Sequence, residues 1–387
     1  MYLREGKMAK KDSISERSVT ISQAVPLMEI CIKAERPVFL WAGPGIGKSD
    51  IVRQIAESIV PTAEEAAAGL LPGVAVDVRL GQMMPTDIMG IPYYNKDTKT
   101  MEWARPGVLP SGKLCSEHKM VILFLDELNT APATVQAAAY QLVLDRKTGS
   151  GFKLPDNVAI IAAGNRENDR GVTTRMPTPL ANRFIHLKLR SNFDSWFDWA
   201  IKNDIHPDIV GYLSFAPQYL DQFDPANPDH AFATPRSWKF VDDIMQVPGV
   251  NDEQLAELVA GTVGEAVGIQ FMAHRKIASS LPNPADVLSG DVVTSKIQEI
   301  SAQYSLTISC CHLLKERQES GDLSSVELHK QADTLFKFMM SNFEVEMNVM
   351  GATVLLRKYK LPLQPTKLST WNTWHAKYLK YLTKANL

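Results

Sequence analysis

The chain has 387 residues and, at about 150 residues per domain, room for two to three domains. Hydrophobic residues at 45%, charged residues at 22% and ordinary numbers of Gly (22) and Pro (23) are the balance of a soluble globular protein, which excludes collagen-like and low-complexity chains. Lys plus Arg (41) nearly cancels Asp plus Glu (43), so the formal charge is -2 and a protein that grips nucleic acid through its overall charge is excluded, although a local basic channel is not.

Residues 1–18 are charged and polar, without the apolar stretch of a signal peptide, and are expected to form a flexible tail. No apolar run of about 18 residues occurs, so no membrane span is expected. Cys31, Cys115, Cys310 and Cys311 make no C-x-x-C pair and read as reduced, buried thiols of a cytoplasmic protein. His206, His230, His274, His312 and His375 have no spacing suited to a metal.

Structure is expected from Val19 onward. Apolar groups at helical spacing over 21–34 precede a short apolar run, 38–41, which reads as a buried parallel strand. A Gly-rich turn follows, and then Ile51, Ile55 and Ile59 mark one face of a helix. Further strands are expected at 74–80, 121–125, 158–163 and 184–189, with a helix over 131–144 that has Pro132 in its first turn. Alternating strands and helices predict an α/β domain with a parallel sheet. Residues 91–103 read as a hairpin turning at Asn95-Lys96-Asp97, and 147–154 as a second one around Gly149 and Gly151.

Strand signals stop at Asn192. Helices are expected over 193–200, 207–214, 238–245, 252–276, 292–309, 326–342, 345–357 and 367–382, and Pro282-Asn283-Pro284 is the best candidate linker. The expected division is therefore a tail (1–18), an α/β core (19–190), a helical lid (191–281) and a helical C-terminal extension (282–387). Trp196, Phe197 and Trp199 read as lid core rather than a stacking platform, and Trp371, Trp374, Tyr378 and Tyr381 as core packing of the last helix, with partner docking the minority reading.

The Gly-rich turn is Ala42-Gly43-Pro44-Gly45-Ile46-Gly47-Lys48-Ser49, followed by Asp50. Between strand and helix, such glycines let backbone N–H groups turn inward around phosphates, and the helix adds its positive end. Lys48 would reach the β- and γ-phosphates, and the Ser49 hydroxyl would coordinate Mg2+. Ala42 stands where the usual pattern has Gly, a mild departure if its φ is negative.

The apolar run 121–125 ends in Asp126-Glu127. Carboxylates at the carboxyl end of a buried strand stand where such sheets bind ligands. Asp126 would hold the Mg2+ water shell, and Glu127 would act as general base on the attacking water. Asn165 at the tip of the next strand could orient that water or touch the γ-phosphate. Arg183 could enter a neighbouring subunit's site to neutralise transition-state charge, and Arg236 could close over the nucleotide from the lid. For each of these three the bland alternative is a turn-forming Asn or a surface arginine.

The order of these motifs resembles the AAA+ ATPases, most of all the MoxR branch, within the dynein-related subfamily, over about residues 20–275. The resemblance matches Asn165 to the first sensor, Arg183 to the arginine finger and Arg236 to the second sensor. It places the segment Gln82 to Gly90 after the second strand, and the two hairpins at the branch's insertions. Asn182 replaces an acidic residue that often precedes the finger, and Arg170 or Arg175 could share that role. No motif covers 285–387. The resemblance implies an AAA+ P-loop fold, ATP and Mg2+ as cofactors, a homo-oligomeric ring, usually hexameric, a chaperone-like action on a protein client, and a partner with a von Willebrand A domain. The alternatives are a nucleic-acid motor, with Lys96, Lys99 and Arg105 as contacts, and a nucleotide-gated scaffold without turnover.

Overall fold

A computed structural model describes residues 17–148, 151–166, 176–226, 229–294 and 297–382. The chain divides into two compact units, Met1–Arg190 and Ser191–Leu387.

In the first unit, strands β1 (Ser18–Val19), β2 (Val38–Trp41), β3 (Val74–Arg79), β6 (Val121–Asp126), β7 (Val158–Gly164) and β8 (Ile185–Leu189) form one sheet, while β4 (Ile91–Asn95) and β5 (Thr100–Ala104) form a separate hairpin. The sheet order is β1-β8-β2-β7-β6-β3, and every pairing in it is parallel. Helices α1 (Ile21–Lys33), α2 (Lys48–Ser58), α3 (Ala63–Ala67), α4 (Pro85–Met89), α5 (Gly112–Glu117), α6 (Ala133–Asp145) and α7 (Thr178–Ala181) connect the strands.

The central strands β2, β7 and β6 are buried on both faces, as the middle of a parallel sheet requires. Phe39, Leu123, Leu125, Ile160 and Ala162 point to one side, where they join Val135, Ala139 and Leu142 of α6. Val38, Leu40, Ile122, Phe124 and Ile161 point to the other, onto Met28 of α1 and Ile51 and Ile55 of α2. Continuous apolar runs rather than alternating ones are the sequence trace of this two-sided burial. β1 was not expected: two residues pairing with Lys188 and Leu189 leave no pattern to read. Pro132 proves to be the N-cap of α6 rather than a residue of its first turn. The hairpin expected at 147–154 shows as an antiparallel bridge between Lys147 and Lys153, with Gly149 outside the described residues.

The second unit contains α8 (Phe193–Lys202), α9 (Pro207–Phe215), α10 (Pro235–Met245), α11 (Asp252–Val263), α12 (Glu265–Ala278), α13 (Pro284–Ser289), α14 (Ile300–Glu319), α15 (Ser325–Asn342), α16 (Val345–Thr353) and α17 (Trp371–Leu382). The helix expected over 252–276 is two, because Gly264 takes a left-handed φ of 92° between α11 and α12. Pro282-Asn283-Pro284 is a helix start: the Asn283 side chain accepts from Ala285 N at 2.9 Å, with Pro284 in the first turn of α13. One apolar cluster runs from Trp196 through Phe271, Leu306 and Phe336 to Trp374 and Tyr378, so 191–281 and 282–387 contribute to the same core. The Tyr381 side chain lies outside the described part. All four cysteines are free and buried. Among the described residues no helix is long and apolar enough to cross a membrane.

Candidate nucleotide site

The strand order sets the site. β7 lies between β2, which leads into the Gly-rich turn, and β6, which ends in Asp126. Their carboxyl ends therefore bring the turn, Asn165 and the Asp126-Glu127 pair to one edge of the sheet, with Asn165 in the middle.

The turn is built as a cradle. Gly45 (φ 72°) and Gly47 (φ 92°) take backbone conformations that favour glycine, and Gly47 is the N-cap of α2 without any side-chain acceptor for the first-turn N–H groups. That leaves the positive end of the helix for an anion. Ala42 is not among the described residues with positive φ, and its methyl is fully buried, so the exchange for Gly costs the turn nothing. Lys48 Nζ donates to the Ala42 and Gly43 carbonyls, both at 3.1 Å, and to Asn165 Oδ1 at 3.3 Å. Ser49 is half-buried, and Asp50 turns outward to pair with Arg53 at 3.1 Å.

Asp126 Oδ1 accepts from the Glu127 backbone N–H at 2.9 Å. Glu127 itself has φ 56°, a left-handed conformation that costs a non-glycine residue about 1–2 kcal/mol. That twist swings its exposed carboxylate toward Gly81, where an added Cβ would come within 2.8 Å of Glu127 Oε2. Asp77, on β3, has its carboxyl raised above the usual range by burial and then by the Asp126 charge, with Arg79 and Arg53 opposing.

Sequence reasoning missed Asn129. It is buried, donates from Nδ2 to Asn165 O at 2.7 Å and accepts at Oδ1 from Asn165 N at 3.2 Å. This two-point clamp fixes the Asn165 backbone and leaves its amide facing Lys48. A Cβ on Gly164 would meet Asn129 Oδ1 at 2.1 Å, so the approach depends on a glycine there. The one available signal was Asn129 itself, a polar residue two positions past the acidic pair.

Arg183 stands elsewhere. Ile185, two residues later, pairs with Val38 at the start of β2, so Arg183 lies at the amino ends of the strands. The four residues of β2, about 13 Å at 3.3 Å each, separate that end from the cradle. Its guanidinium donates to Pro179 O at 2.7 Å and sits 4.8 Å over the Tyr140 ring. Arg236 is exposed in the first turn of α10, in the second unit. Arg170 and Arg175 lie outside the described residues.

The donors suit Mg2+. The Ser49 hydroxyl and the Asp126 carboxylate are hard oxygen ligands, and among the described residues no group of three or more His, Cys, Asp or Glu side chains could hold a metal. Two protein oxygens completed by phosphate and water are how that ion is usually held.

A Gly-rich turn at a helix start, a strand-end acid pair and a polar strand tip stand at one edge of a parallel sheet, with a helical unit next in the chain, an α/β arrangement that resembles the AAA+ P-loop fold. No family model matches the chain. It is 26% identical over 175 residues to the protein MoxR of Methylorubrum extorquens, a match covering 44% of this chain and 46% of MoxR. The chain thus spans about half the length of that curated relative, and the resemblance to MoxR-type AAA+ proteins stands. Among solved structures, NtrX from Brucella abortus aligns at 14% identity over 84% of this chain and 70% of that one, with a TM-score of 0.37. A RuvB variant from Thermotoga maritima aligns at 16% identity over 67% and 74%, with a TM-score of 0.34.

Proposed function

We infer that the protein is a Mg2+-dependent ATP hydrolase that works in a homo-oligomeric ring, with a hexamer expected from the family resemblance, and remodels a protein client in the cytoplasm. The observation that carries the reading is the Lys48–Asn165 contact at 3.3 Å beside Asp126-Glu127. It joins the phosphate-binding lysine to the strand tip that would sense the phosphate.

Lys48 would leave the Ala42 and Gly43 carbonyls for the β- and γ-phosphates, and the N–H groups of residues 43–50 would line the rest of the cradle. Ser49 and Asp126 would hold Mg2+, which when bound spreads the charge of the transferring phosphoryl group. Glu127 would take the proton of the attacking water, and Asn165, held by Asn129, would orient that water. Arg183 would act on a neighbouring subunit's nucleotide, because in its own subunit it faces the opposite end of the sheet. Residues 191–281, with Arg236, would form the lid and 282–387 an extension of it. A von Willebrand A-domain partner is expected from the family resemblance alone.

The nucleic-acid motor is not favoured. Arg105 donates to Leu109 O at 3.0 Å and lies 4.2 Å over the Phe152 ring, so it is engaged inside its own unit. Glu102 in the same hairpin accepts from Tyr93, Asn95 and Thr98, which adds negative charge where a strand would bind.

ATP turnover by the purified chain tests the reading. Lys48→Ala is expected to weaken nucleotide binding about a hundredfold, the loss of a charge-assisted contact or two. Glu127→Gln is expected to keep binding and slow turnover by about 10²–10⁴. Turnover by Glu127→Gln at the wild-type rate would remove Glu127 as the base.

A further inference from the structure

The second unit contains a cavity of about 500 Å³ that the nucleotide reading does not use. Phe193, Phe197, Tyr304, Val349, Met350 and Val354 make its walls apolar. Its size and apolar lining fall in the range of ligand sites. One wall is the π-helical turn Val354–Lys358, which continues α16. Such turns cost hydrogen-bond geometry and occur often at functional sites.

The rim is charged unequally. Lys358 is already engaged, 3.0 Å from Asp198 and 3.8 Å from Asp194. Glu346 is exposed, makes no ion pair among the described residues, and faces Tyr304 closely enough that its charge, after burial, helps to raise the Tyr304 hydroxyl's pKa. With Asp194 and Glu346 set against Lys358, the mouth carries net negative charge.

An apolar strip extends beyond the mouth. Phe215, 46% exposed, lies 6.2 Å from the Tyr304 ring, and Ile300, 56% exposed, lies one helical turn before Tyr304 on α14. A small molecule would fill the cavity and leave this strip in water, whereas a chain segment would cover both.

We propose that this cavity is a docking site for a partner-protein segment that inserts a bulky apolar side chain and places a Lys or Arg against Glu346 and Asp194. The apolar side chain supplies the buried anchor typical of such contacts, and the cation answers the rim. The proposal is independent of the ATPase reading, since no residue of the cradle enters it.

The test is selection of a random short-peptide library on the full chain, with affinities of the selected peptides measured on three variants. Val349→Trp fills the cavity, Glu346→Lys reverses the rim at an exposed position where folding is not at risk, and Lys48→Ala leaves the site intact. The expected result is peptides that combine an aromatic or large aliphatic residue with a Lys or Arg. They should lose about tenfold or more on Val349→Trp and on Glu346→Lys, and nothing on Lys48→Ala. Circular dichroism and melting curves check that each variant is folded. Should Val349→Trp not fold, the Glu346→Lys loss and its recovery with peptides carrying Glu in place of the basic residue decide alone. Peptides indifferent to Glu346→Lys and Val349→Trp, or no selected peptide, would overturn the proposal. Binding of phenethylamine without any selected peptide would overturn it in favour of a small organic cation.

Discussion

The first unit keeps its candidate site on the rim of the sheet and its apolar core within it. Asp126 and Asn165 stand at the carboxyl ends of β6 and β7, and Lys48 reaches Asn165 from the start of α2, after the turn that leaves the neighbouring strand β2. The second unit has no such separation. Its core draws on helices from α8 to α17, and α14 is buried around most of its circumference, with Gln303, Ser305 and Thr307 inside beside Leu306, Ile308 and Cys310. A site on a rim can be altered without unfolding the sheet, while a change inside a many-sided helical core acts on stability first. Substitutions in the two units should therefore separate activity from stability.

Arg183→Ala is expected to have the largest effect of those that probe this difference. If the guanidinium serves a neighbouring subunit, turnover falls by about 10³ or more while nucleotide affinity and melting temperature stay near wild type. Mixing Arg183→Ala with Glu127→Gln subunits should restore part of the activity, because some interfaces then pair an intact arginine with an intact base. Absence of recovery at every mixing ratio would leave Arg183 with only the role seen in the single chain, a cation over Tyr140.

Asn129→Ala tests the one place in the first unit where chemistry and packing meet. The Asn165 N–H and C=O would each lose a buried partner, at about 1–3 kcal/mol per group left unsatisfied. Melting temperature and turnover should fall together, with nucleotide affinity less affected than in Lys48→Ala. An unchanged turnover in a destabilised Asn129→Ala protein would mean that Asn165 needs no clamp.

The sheet was legible because burial on both faces writes uninterrupted apolar runs, and the cradle because glycine, lysine and serine must fall at fixed spacing. Other features left no local trace. The Asn129 clamp joins residues 36 positions apart, and its meaning depends on which strand lies next to which. The left-handed backbone of Glu127 is carried by a residue type that gives no hint of it. In the second unit the limit is geometric. A helix buried on several sides has no single apolar stripe, so apolar spacing points to a start at 292 where α14 begins at Ile300, and it runs through Gly264 because it resumes beyond the break.

The smallest expected effect belongs to the second unit and is a dependence on pH. His274 is 5% exposed, and neither ring nitrogen has a hydrogen-bond partner among the described residues; the Tyr212 ring lies 5.5 Å away. Burial lowers its pKa below the ordinary 6.5, with the Asp208 charge opposing, and burial followed by the Lys315 charge lowers that of His312. Both imidazoles are therefore neutral in the folded chain at pH values where the unfolded chain already binds protons. The stability contributed by these two groups is complete above about pH 7 and falls as the pH drops through 6.5 toward the folded-state values, because the unfolded state takes up protons first. Urea unfolding between about pH 7 and pH 5 measures the slope. His274→Phe, which keeps an aromatic ring and removes the titrating group, should reduce that slope by about the share of one proton, leaving the part due to His312. A slope as steep in His274→Phe as in the wild type would show that His274 is not buried neutral in solution.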